Sequence, residues 1–79
     1  MHPEEIEKII ATHLSCYKVE VTGDGHHFDA LIVSNEFENK SLLQRQRHVY
    51  QYLDQWIKTG ELHAISMKTF TVKEYQPNS

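Results

Sequence analysis

The sequence predicts an α/β (α+β) fold of the order α-β-β-α-β-α, with a three-stranded mixed sheet packed against helices. Three observations carry that expectation. Residues 39–60 show an apolar repeat of helical period between clear start and stop signals. Two short runs, 17–22 and 28–34, read as strands on either side of a glycine turn. A third strand-like run, 62–70, follows the long helix.

In chain order, the first helix is expected over residues 3–14. Pro3 suits the first helical position, Glu4 and Glu5 favour the positive end, and Ile6, Ile9, Ile10 and Leu14 form one stripe. His2 and His13 flank it as surface decoration. Tyr17-Lys18-Val19-Glu20-Val21-Thr22 alternates strictly, the pattern of a half-buried strand. After the turn Gly23-Asp24-Gly25, the run Phe28-Asp29-Ala30-Leu31-Ile32-Val33-Ser34 begins by alternating and becomes continuously apolar, as a central strand does. The two are expected to form a hairpin. Residues 35–40 connect to the long helix, with Phe37 as the anchor.

Ser41 and Gln44 make a capping-box pattern at the start of that helix, and Gly60 supplies its left-handed stop behind Lys58. At about 100° per residue, one arc collects Leu42, Leu43, Val49, Tyr50, Leu53, Trp56 and Ile57. Arg47, His48, Gln51, Asp54, Gln55 and Lys58 fall opposite, and Gln46 is the polar exception inside the arc. Thr71 and Glu74 form a second capping box, opening a short helix that carries Tyr75, and 76–79 is a frayed tail. With 79 residues, the chain is expected to be one domain over 1–79.

Eleven acids against eight Lys and Arg give a net charge of −3, which argues against a sequence-independent nucleic-acid binder working by phosphate neutralisation. The single Cys16 has no internal partner, which suits a reducing compartment, and its place after Leu14 reads as a small core residue. No apolar run reaches spanning length, so a soluble, cytoplasmic protein without a membrane partner is expected. No nucleophile elbow, phosphate loop, dinucleotide fingerprint or catalytic carboxylate pair is present, so no enzyme activity is expected.

The six histidines are the conspicuous feature. A strand–helix–strand crossover makes the second and third strands parallel. If those strands are neighbours, both start at one edge of the sheet, which puts His27 near His63. Adjacent strands lie about 4.8 Å apart, so two imidazoles there could converge on one metal. On spacing alone, Gly25-His26-His27 reads as a polar hairpin turn in preference to a metal site. Asp24 or Asp29 could complete such a site, but short polar turns often contain Asp anyway. A pH-responsive histidine cluster is a third possibility. Arg45, Arg47 and Lys40 are the only basic cluster and read as a solvated helix flank in preference to a phosphate contact.

Taken together, Gly25-His26-His27-Phe28, Val33-Ser34, the run Phe37-Glu38-Asn39-Lys40-Ser41-Leu42-Leu43-Gln44-Arg45-Gln46-Arg47, and the run from Leu62-His63-Ala64 to Thr71 resemble the BolA family. The turn before the His-Phe pair is most similar to its YrbA/IbaG-like bacterial branch. The resemblance implies a class II KH-like fold and a non-enzymatic adaptor for iron–sulfur trafficking or iron sensing. It implies pairing with a monothiol glutaredoxin and a [2Fe–2S] cluster shared with that partner and glutathione. The isolated chain, a monomer or weak homodimer, is expected to hold no cluster. His63 matches the family's ligand at the last strand, and the hairpin ligand is His27, with His26 in reserve. The family often has Arg-His-Arg where this chain has Arg45-Gln46-Arg47, and the Gly before the helix is Asn39. The alternative implied function is a DNA-binding regulator of stress response or cell morphology. The Gly-x-x-Gly loop that KH-type nucleic-acid binding normally uses is missing, so DNA binding would fall to the long helix, with Arg45, Arg47 and Lys68 as candidate contacts.

Overall fold

The computed structural model describes residues 1–76. Helix α1 spans Pro3–His13, strand β1 Lys18–Gly23 and strand β2 His27–Val33. A 3-10 turn over Asn35–Phe37 leads to helix α2, Leu42–Thr59, then strand β3, Ala64–Phe70, and helix α3, Val72–Tyr75. The order is the expected one. Of the tail expected at 76–79, residues 77–79 lie outside the described part.

The caps form as their residue types dictate. Ser41 Oγ accepts from the Gln44 N–H at 3.2 Å while Gln44 Oε1 accepts from the Ser41 N–H at 2.9 Å. Thr71 and Glu74 repeat the exchange at 3.1 and 2.8 Å. Gly60 ends α2 at φ 82°, and Asn39 takes the left-handed turn before it at φ 63°. Phe37 is fully buried. Burying a Phe contributes about 2–3 kcal/mol, enough to hold so short a turn in place.

The sheet order is β1-β2-β3. β1 and β2 run antiparallel with Val21 opposite Ala30, and β2 and β3 run parallel with Ala30 opposite Met67. One cluster joins Ile6, Ile10 and Leu14, Val49 and Leu53, and the inward residues Val21, Phe28, Ala30, Ile32 and Ile65. Both long helices therefore cover the same face. On the other face Tyr75 of α3 lies 6.0 Å from Phe70, and its hydroxyl accepts from Lys18 Nζ at 3.1 Å.

Helix α2 is turned relative to the expected face. Val49 and Leu53 are buried, but Leu42 is 65% exposed, Leu43 55%, and Tyr50 and Ile57 36% each. The core-facing line instead holds Arg45, 7% exposed. His48, expected in water, is half-buried edge-on to Phe37 and Tyr52, and His13 stacks on Tyr52 at 4.6 Å. Arg45 can occupy the core because four of its five N–H donors are matched. They reach Lys40 O at 3.0 Å, Thr69 O at 3.2 Å and both carboxylate oxygens of Glu74 at 2.7 and 3.2 Å.

Helical side chains also blunt the sheet edges. Tyr50 donates its hydroxyl to Ile65 O at 3.2 Å on the β3 side, beside the Arg45–Thr69 bond. On the β1 side the Val21 N–H donates to Glu7 at 3.1 Å. Occupied edge groups deny a template to an added strand.

Candidate metal centre

The β1–β2 turn is built around Asp24. Its Oδ1 accepts from the N–H groups of His26 and His27, both at 2.9 Å, and its own N–H donates to His27 O at 3.3 Å. The His27 and His26 amides, in that order, hold the Asp24 carboxyl below its ordinary range. Gly25 takes φ 100°, a conformation that side-chain-bearing residues rarely adopt. At Gly23 the constraint is contact, because a Cβ there would lie 2.6 Å from Phe28 Cδ1.

The last strand is brought to this turn from the other side. Leu62 is 1% exposed and its N–H donates to Trp56 O at 3.1 Å, so the residue before His63 is fixed to the end of α2. The Ala64 N–H then donates to His26 O at 3.3 Å. His27 is the register partner of Ala64, which sets His26 level with His63 one step earlier. The His26 and His63 rings lie 5.4 Å apart between centroids, tilted by 42°. His26, His27 and His63 are all exposed.

Only one of the two loop histidines is brought up to the last strand. The fold pairs His26, rather than His27, with His63. The reason is parity: neighbouring positions on a strand point to opposite faces, so His27 falls with Asp29 on the sheet face away from the long helices. Asp29 is thereby separated from the histidine pair, and Asp24 is committed to the turn amides. Among the described residues no group of three His, Cys, Asp or Glu side chains is placed to hold a metal ion. Two imidazoles can therefore act only as part of a ligand set completed from outside the chain. Cys16 does not contribute, since burial first and Glu36 second push its thiol up, away from the reactive thiolate.

The basic residues do not gather. Arg45 is buried and spends its donors inside the fold, which removes it as a phosphate contact. Arg47 is exposed on α2. Lys68 lies on the opposite side of the sheet, in a concavity of about 560 Å³ that it shares with Glu20 and Asp29. Arg47, Arg45 and Lys68 thus form no common surface. The Asp24 clamp and the Leu62 anchor are the parts of the site that sequence reading missed. An Asp two residues before an exposed amide is a known turn signal and could have indicated the first.

A hairpin turn closed on the start of a parallel last strand, beneath two helices, is the arrangement of the BolA-like α+β proteins. The BolA-like protein family model matches residues 1–74, and the chain belongs to the BolA family. It is 35% identical over 75 residues to the acid stress protein IbaG of Escherichia coli, covering 95% of this chain and 89% of that one. A BolA homologue from Coxiella burnetii superposes with a TM-score of 0.85 at 38% identity, covering 96% and 97% of the two chains. The Bol-like protein of Babesia bovis gives 0.85 at 32% identity, covering 98% and 92%. No helix among the described residues is long and apolar enough to cross a membrane.

Proposed function

We propose that this chain is a non-enzymatic BolA-like adaptor that pairs with a monothiol glutaredoxin and co-ligates a [2Fe–2S] cluster, serving iron–sulfur trafficking or iron sensing. The observation that carries this reading is the His26–His63 pair, two exposed imidazoles 5.4 Å apart, each one residue before the start of adjacent parallel strands. Neutral imidazole suits iron, and two such donors supply half of the four ligands a [2Fe–2S] cluster takes. The partner's cysteine and glutathione complete the set, which explains a site this open and this short of ligands. Replacing two thiolates by imidazoles raises the potential of such a cluster. A part in a stress response rests on the name of the Escherichia coli relative.

The test is anaerobic reconstitution with a monothiol glutaredoxin and glutathione, followed by visible circular dichroism. Wild type is expected to replace the glutaredoxin homodimer spectrum with a new one. His63→Ala and His26→Ala should abolish or alter that spectrum, and His27→Ala should leave it intact. An unchanged homodimer spectrum with wild type would reject the adaptor reading. A new spectrum lost with His27→Ala and kept with His26→Ala would reject the ligand assignment alone.

A further inference from the structure

The turned helix leaves an apolar stripe uncovered. Leu43, Tyr50 and Ile57 recur every seventh residue of α2 and are 55%, 36% and 36% exposed, with Leu42 at 65% beside them. Arg47 and Asp54 run along one flank of this stripe. We propose that the stripe is a self-association surface, on which α2 of a second copy packs antiparallel about a two-fold axis through Tyr50.

The charge pattern selects the second copy as the occupant. Arg47 lies three residues before Tyr50 and Asp54 four residues after it. Reversing the helix about Tyr50 brings Arg47 level with the second copy's Asp54 to within one helical rise, about 1.5 Å, and the symmetry makes the pair twice. In antiparallel helix pairs, flanks on the same side face one another, so both pairs lie on facing edges. Leu43 meets Ile57 of the second copy in the same register. A parallel arrangement would set the flank of Arg47 and Asp54 against the second copy's opposite flank, where Gln46 and Leu53 offer neither charge a partner.

The surface is also held ready for a partner. The Tyr50 hydroxyl is fixed on Ile65 O at 3.2 Å, so its ring edge stays in the stripe. Arg47 has no carboxylate within 4.0 Å among the described residues. Asp54 Oδ2 touches Lys58 at 2.8 Å, an exposed pair that competes weakly.

Sedimentation velocity across a concentration series tests this, with circular dichroism to verify folding. Wild type should associate reversibly between about 10 μM and 1 mM. Leu43→Glu, Arg47→Asp and Asp54→Arg should each weaken association by about tenfold or more. All three sites are exposed, so the variants should fold. An equimolar mixture of the Arg47→Asp chain with the Asp54→Arg chain should associate again, because the mixed pair restores opposite charges at both contacts. A wild type that stays monomeric to the top of the range overturns the proposal and assigns the stripe to a different protein. So does an association that the charge reversals leave unchanged, or a mixture that behaves like its separate components.

Discussion

Arg45 and Glu74 form a two-pronged ion pair, Nη1 to Oε1 at 2.7 Å and Nη2 to Oε2 at 3.2 Å, joining the first turns of α2 and α3. The same Oε1 accepts the Thr71 N–H at 2.8 Å. One carboxylate therefore closes the last capping box and neutralises a cation in the core. The guanidinium in turn fixes Lys40 O before α2 and Thr69 O near the end of β3. The planar fork suits this task because it binds the carboxylate and the two carbonyls in fixed directions.

Removing that side chain should be costly. Arg45→Ala leaves the Thr69 and Lys40 carbonyls short of a donor beside a void. Urea denaturation at neutral pH should show a loss of about 2–4 kcal/mol. Arg45→Lys keeps the charge but loses the fork, and should recover less than half of that loss. A change below about 0.5 kcal/mol for Arg45→Ala would mean that the pair adds nothing beyond surface electrostatics.

Acid should weaken the same junction. Arg45 first, then the Thr71 amide, lower the Glu74 carboxyl from 4.5 to about 2. A carboxylate with a depressed folded-state value adds stability above its unfolded value, and that stability is lost as pH falls through the folded value. The contribution of Glu74 is thus complete above pH 4.5 and disappears towards pH 2. Urea midpoints of wild type and Glu74→Gln should differ most above pH 5 and converge on acidification. A constant gap across the range would show that the carboxylate charge is irrelevant.

The elements were legible in the sequence because their signals are local. Ser41 with Gln44, Thr71 with Glu74, and Gly60 each act on backbone groups within a turn, and each appears where expected. The facing of α2 was less legible. An apolar arc counts Leu42, Leu43, Tyr50 and Ile57 as core, but it cannot see a carboxylate 29 positions away that draws Arg45 inward. Satisfying that cation turns the helix and leaves the apolar residues outside. The histidine pair shows the same limit. The parallel direction of β2 and β3 followed from topology, but their adjacency was only a condition, and the choice between His26 and His27 depends on a one-residue register.

The two turn glycines should respond differently to alanine. At Gly23 a Cβ would run into His27 O and lie 2.6 Å from Phe28 Cδ1, so backbone or core must shift. At Gly25 nothing lies within 4 Å, and only φ 100° opposes a side chain. Gly23→Ala is expected to cost about 2–3 kcal/mol and Gly25→Ala about 1 kcal/mol in thermal or urea unfolding. The reverse order would place the constraint in the dihedral rather than in the contact.

Asp24 should govern the order of the histidine turn without governing the fold. Its carboxylate touches only the turn amides, and no core residue depends on it. In Asp24→Ala the His26 and His27 amides lose their acceptor, so their hydrogen exchange should accelerate by about tenfold while the core amides are unchanged. Asp24→Asn keeps a carbonyl acceptor and should fall between. Because the Asp24 carboxyl lies below its ordinary range, wild-type protection should persist at mildly acid pH and fade only as that group protonates. Were the adaptor reading correct, Asp24→Ala would also release a shared cluster faster, since His26 would no longer be held against His63. Unaltered exchange at both amides would mean that Gly25 and the Ala64–His26 bond order the turn by themselves.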